Sequence, residues 1–341
     1  MGRITKELFG QTKDGADVYI FRLEGAGGAY TEVLNYGAIW KTSHIPGKDG
    51  SLVDVCLSYD TVKGYEDDVN YIGAIIGRFA NRIKDAAFTL DGVLYNLQKN
   101  DGEHSLHGGA NSYSKRIWNH EISDGSLVLN LRSPDGDQGY PGNLDITVAY
   151  TFDENNALTI DYLAVSDKDT PINMTNHAYF NLAGASSGKS GAMAHTLRIN
   201  AGAVTEMDDE YIETGCLLPV GGTPYDFQTD FVVGDRIDLD DQLLRIAGGY
   251  DLNFVIADEG LREAAVLASR QSGISLHLEI TNPCLQFYSS NVISAPFALH
   301  GALCLEPQHY PDSVNIPQFP PCILKAGEKY EQRSVYRFEF V

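Results

Sequence analysis

The sequence predicts a mainly β protein, a large antiparallel β-sandwich of two or more curved sheets with few short helices. Three observations carry this expectation. Apolar and polar residues alternate with period two in one segment after another, the pattern of strands with one buried face. Helical periodicity is scarce. The 34 glycines and 13 prolines punctuate the chain throughout, with no composition shift that would mark a linker and no repeat of fixed period. Sandwiches run well past the usual domain length, so residues 1–341 are expected to form one domain.

Taken in chain order, ITKELFG at 4–10 is read as a possible helical turn, as is DDQLLRIAGG at 240–249. AAFTLDGVLYNL carries Asp91-Gly92, the two-residue signal of a tight hairpin. In SLVLNLRS, Leu127, Leu129 and Leu131 share one face opposite Asn130 and Arg132. In DITVAYTFDENNALTIDYLAVSD, Ile146, Val148 and Tyr150 lead into a polar turn at Asp153 to Asn156, and Leu158, Ile160 and Tyr162 return, which makes a hairpin. ISLHLEIT sets Ile274, Leu276, Leu278 and Ile280 against His277 and Glu279, and the end of the chain, RFEFV, alternates as well.

Composition narrows the function. With 46 acidic against 25 basic residues the net charge is −21, which argues against nucleic acid or an anionic membrane as partner and favours a neutral ligand. The first residues carry charge from Arg3 onward and no apolar run, so neither a signal peptide nor a membrane span is expected there. Five scattered cysteines form no C-x-x-C pair, the pattern of reduced thiols, and a cytoplasmic protein is expected. G-x-x-x-x-G-K-[ST], H-E-x-x-H and G-x-G-x-x-G are all absent, so nucleotide hydrolysis and hydride transfer lose support. His104 and His107 lie close together but lack a third metal ligand nearby, and no metal is expected. The sequon at Asn173 to Thr175 is read as chance.

What remains is a set of polar residues at the ends of apolar segments: Asn81 and Arg82 in GRFANRI, His107 in SLHGG, His177 in TNHAYFNL, Asp251 in GYDLNFV, Gln286 in LQFY and Glu306 in ALCLEPQ. Each taken singly is more simply a structural group. Together, donors and acceptors of both charge types interleaved with rings such as Phe287, Tyr179 and Tyr310 suit the hydroxyls and apolar faces of a sugar. Three classes stay open at this point: binding without chemistry, glycoside hydrolysis by two carboxylates such as Glu306 and Asp251, and an acid–base step by one carboxylate and one imidazole.

The segments GRFANRI (77–83), LHGG (106–109), TNHAYFNL (175–182), GYDLNFV (249–255), LQFY (285–288) and LEPQHYPDSVNIPQFP (305–320), in this order over nearly the whole chain, resemble the aldose 1-epimerase (galactose mutarotase) family. The resemblance implies an antiparallel supersandwich, no cofactor, and interconversion of the α and β anomers of free aldoses such as galactose and glucose. It implies Glu306 as the base, His177 as the acid, and Asn81, Arg82, His107, Asp251 and Gln286 as sugar-binding groups. One position departs from the pattern: Leu252 stands where relatives commonly carry His. His104 and His309 are read as structural, and Tyr310 and Pro311 as shaping the loop that aims Glu306. The expected partner is a monosaccharide, with no nucleic acid and no membrane, and the protein is expected to be a monomer or homodimer. The rivals are a catalytically silent sugar-binding protein on the same fold and a relative acting on hexose 6-phosphates. The latter would need an Arg or Lys cluster that is not visible near the motifs.

Overall fold

The computed structural model describes residues 2–340 and is built mainly of antiparallel sheets. The largest has nine strands in the spatial order Asn119–Ser123, Ser126–Ser133, Leu144–Phe152, Ala157–Ser166, Lys329–Phe340, Ile274–Ile280, Arg262–Ser269, Thr196–Ile199 and Phe231–Val232. A second has six: Tyr179–Phe180, Leu303–Gln308, Cys284–Tyr288, Asp251–Ile256, Ala201–Met207 and Glu213–Pro219. A third gathers the first five strands of the chain, from Ile4–Gln11 to Leu52–Asp54.

Most of the period-two segments behave as their patterns require, with two departures at the ends: Leu131 is only partly buried, and Phe340 of RFEFV, the last residue of its strand, is exposed. Leu127 and Leu129 are fully buried, and the ladder from Leu144↔Ser166 to Phe152↔Leu158 closes the expected hairpin over Asp153 to Asn156. Ile274, Leu276, Leu278 and Ile280 all lie in the core. Asp91 and Gly92 both take positive φ, 51° and 78°, in the hairpin between Ala87–Leu90 and Val93–Asn96, as a tight turn of that type demands.

Helices are short: Val62–Asp67, Gly188–Met193 and Gln242–Ala247 are the α-helices of the described residues. The last is the expected one, capped by Asp241, whose carboxylate accepts from the amides of Leu243 and Leu244. The helical reading of ITKELFG is corrected. Ile4–Gln11 is a strand paired with Asp17–Glu24, Ile4 opposite Leu23. It has no buried residue, so its sequence had no core face to report, and a helix this short is marginal without packing while a neighbouring strand satisfies its backbone.

The six-stranded sheet positions the site. On its three central strands Leu252, Phe254, Leu285, Phe287, Leu303 and Leu305 project into the main core, all about 1% exposed or less. Strict alternation then sends Asp251, Asn253, Gln286, Tyr288, Cys304, Glu306 and Gln308 to the opposite face. Leu252 is thus a core residue, and its difference from the family pattern bears on packing behind the sheet.

Candidate active site

On that polar face lies a cavity of about 300 Å³, of a size for one small ligand, whose lining includes all seven expected site residues: Asn81, Arg82, His107, His177, Asp251, Gln286 and Glu306. Three come from the register of adjacent strands. Gln286 lies directly opposite Glu306 on one side and Asn253 on the other, and Asp251 is opposite Tyr288. A buried chain of amides orients them: Gln308 Nε2 donates to Gln286 Oε1 at 3.2 Å, and Gln286 Nε2 donates to Asp251 Oδ1 at 2.6 Å. The Glu306 carboxylate, by contrast, makes no hydrogen bond to another described side chain or amide, although the residue is only 2% exposed.

His177 arrives on a separate segment, pinned by its backbone. Its N–H donates to Ala74 O, its carbonyl accepts from Gly73 N–H, and Asn176 Nδ2 donates to Gly73 O. Tyr179 stacks on the imidazole with ring centres 5.0 Å apart, and Tyr71 lies nearly parallel to it at 6.3 Å. Its Nε2 faces Glu306 Oε2 at 3.6 Å, and its Nδ1 is buried without a partner. Burial lowers the His177 pKa to about 4. Burial, reinforced by the neighbouring Asp251 carboxylate, pushes Glu306 well above the usual carboxylate range.

Asn81 and His107 form one unit. Both have positive φ, 68° and 51°. The Asn81 N–H donates to His107 Nδ1 at 3.1 Å, and the His107 N–H returns to Asn81 O at 3.1 Å. Because Nδ1 accepts, the ring proton sits on Nε2, and the imidazole is a neutral donor. Burial first, then the nearby His177 and Arg82, hold its pKa well below the ordinary histidine value. Gly108 beside it has φ +81°, and a Cβ there would sit 2.1 Å from Gly77 O, so the LHGG turn needs glycine at this position.

Arg82 is held from two sides, with Nε donating to Asp101 Oδ2 at 2.7 Å and the guanidinium 4.7 Å over the Tyr211 ring. It is the one Arg or Lys among the described residues lining the cavity. Asp251 is raised by burial, which Arg82 and the Gln286 hydrogen bond oppose.

Several lining residues lie outside the motifs: Tyr71, Asp101 and Tyr211 come from loops. Tyr288, the last residue of LQFY, shares the parity of Gln286 and lines the cavity beside it. Of the three rings expected against the sugar, Tyr179 does line the cavity. Phe287 does not, because it faces the core between Gln286 and Tyr288. Tyr310 packs outside the cavity on Phe319, with ring centres 4.8 Å apart. His104 and His309 stay outside it too. His104 Nδ1 accepts from the Asp85 amide, and His309 donates its backbone N–H to Asn173 Oδ1. That leaves Asn173 of the sequon fully buried.

The His177 imidazole and the Glu306 carboxylate, facing each other inside a polar cavity on an antiparallel sandwich, fit one class in particular: an acid–base isomerase acting on carbohydrates. Comparison with known proteins makes this specific. A family model described as aldose 1-epimerase matches residues 19–337. The chain is 34% identical to galactose mutarotase of Bos taurus over 99% of both chains, and 35% identical to aldose 1-epimerase of Escherichia coli K12 over 95% of this chain and 96% of that one. Among solved structures, an aldose epimerase homologue from C. elegans superimposes with TM-score 0.87 at 30% identity, covering 94% of this chain and 98% of that one. Galactose 1-epimerase from Lactobacillus acidophilus NCFM gives 0.88 at 27% identity, covering 100% and 99%. The chain belongs to the aldose 1-epimerase family.

Proposed function

We propose that this protein interconverts the α and β anomers of free hexoses such as galactose and glucose, with Glu306 and His177 as the proton-transfer pair. Ring opening of a hemiacetal takes a proton from the anomeric hydroxyl and gives one to the ring oxygen. These two oxygens are bonded to one carbon, so base and acid must stand close together, and a separation of 3.6 Å supports that arrangement. Glu306 accepts the hydroxyl proton as the bond from the anomeric carbon to the ring oxygen breaks, and His177 delivers its proton to the departing ring oxygen. The open aldehyde turns about its C1–C2 bond and closes from the other face with the two roles exchanged.

Arg82 and the Nε2–H of His107 donate to sugar oxygens and stabilise charge developing there. Asp251, Gln286 and Asn81 fix the hydroxyls. Residues 1–341 act as one domain on this reading, supported by a main core that runs from Phe21 to Phe338. Five free cysteines support a cytoplasmic setting, and no helix among the described residues is long and apolar enough to cross a membrane.

The observation that carries the proposal is the buried, unpartnered Glu306 beside His177. Magnetisation-exchange NMR on equilibrated galactose tests it. Cross-peaks linking the α and β H1 signals are expected with enzyme at neutral pH, and their absence at high enzyme concentration would overturn it.

A further inference from the structure

The strand that presents Glu306 also brings a thiol to the pair. Cys304 precedes Glu306 by two residues on the same face, and it pairs with Tyr179, two residues beyond His177. One ligand atom from each of His177, Cys304 and Glu306 therefore lies within 4.8 Å of the others, with all three residues buried. Independently, the Glu306 carboxylate and the His177 ring make no hydrogen bond to another described residue, so both are free to take a ligand from the cavity.

Imidazole, thiolate and carboxylate together are a zinc-type donor set, and the thiolate selects soft cations over magnesium or calcium. Three protein ligands with a fourth position open to the cavity suit tetrahedral coordination. We propose that His177, Cys304 and Glu306 form a binding site for a soft divalent cation of the zinc and cadmium class, which inhibits the enzyme by occupying its proton-transfer groups. On binding, the Cys304 S–H bond breaks, its proton leaves to solvent, and the thiolate sulfur donates an electron pair to the metal. Sugar and cation compete for the same two groups. The inhibition rests on the proposed roles of Glu306 and His177, whereas the binding does not.

The test uses the full chain carrying Cys216→Ser, which removes the exposed thiol and leaves the four buried ones. Titration with Cd²⁺ in chelator-free buffer is expected to raise an ultraviolet sulfur-to-cadmium charge-transfer band that saturates at one equivalent and is suppressed by saturating galactose. Anomerisation is expected to fall in parallel and return with EDTA. Adding Cys304→Ser is expected to leave metal-free activity unchanged, abolish the band, and weaken inhibition at least about tenfold. A missing band, a band that galactose leaves untouched, or inhibition undiminished by Cys304→Ser overturns the proposal. If Cys304→Ser does not fold, Cys304→Ala and the galactose competition in the parent decide. Absent metal-free activity in the parent would contradict the anomerase reading instead, while the band still reports the site.

Discussion

His177 Nε2 lies 3.6 Å from Glu306 Oε2, and both side chains are buried against one cavity. Carboxylate with imidazolium and carboxylic acid with imidazole contain the same single proton. Burial favours the uncharged form, which on the proposed mechanism is the state reached when the ring has opened. The charged form, needed to open the ring, differs only by moving that proton across the pair. A reaction that must run equally in both directions is served by two such states.

This predicts a bell-shaped pH dependence of kcat/KM in which the limits belong to the pair. On the acid side a second proton enters as His177 titrates, at about 4 in the free enzyme. On the alkaline side the last proton leaves Glu306, above the ordinary carboxylate range. Activity is expected to persist through weakly acidic pH. An acid limb at an ordinary histidine value near 6.5 would contradict the neutral buried imidazole.

Glu306→Gln should raise stability while removing activity. The folded protein holds the Glu306 proton more tightly than the unfolded chain does, so stability is lost as pH rises from the unfolded pKa through the folded one. Glutamine removes that loss. Urea unfolding is expected to show a gain of about 1 kcal/mol for the variant near neutral pH and little difference at acid pH. Identical pH dependence in the two proteins would contradict it.

Gln286→Ala breaks the amide chain from Gln308 to Asp251 and frees Asp251 to turn. KM for galactose should rise about tenfold, ~1.4 kcal/mol, with a smaller effect on kcat, because the proton-transfer pair is untouched. Initial-rate kinetics check the split. An unchanged KM would take Gln286 out of sugar binding.

Glucose 6-phosphate should be a poor substrate. Arg82, the one Arg or Lys lining the cavity among the described residues, already neutralises Asp101, and Asp251 and Glu306 lie nearby. A phosphate dianion would enter without a spare cation, and kcat/KM is expected to be lower than for glucose by about 100-fold or more. Parity between the two sugars would show another phosphate-binding group at work.

Strand alternation made much of the fold legible before any coordinates. Segments with one face in the core, such as Ile274 to Ile280, announce themselves because burial selects their composition. Ile4–Gln11, with no buried residue, has no such signature, and its strand identity comes from its partner Asp17–Glu24. The motif residues were legible through family resemblance, since Glu306 and His177 are 129 positions apart and no local pattern joins them. The approach of Tyr71 to His177, the Asp101 clamp on Arg82 and the approach of Cys304 to the pair are products of tertiary packing. The placement of Phe287 could have been read from parity, because its neighbours Gln286 and Tyr288 take the polar face.

The most direct measurement is polarimetry of freshly dissolved α-D-galactose at neutral pH, comparing the protein with Glu306→Gln, His177→Asn and a buffer blank. The wild-type chain is expected to bring the rotation to equilibrium far faster than buffer, and each variant to lose about 10²–10⁴-fold or more of that rate. A wild-type rate equal to the blank, or near wild-type rates in both variants, would contradict the assignment of Glu306 and His177 as the proton-transfer pair.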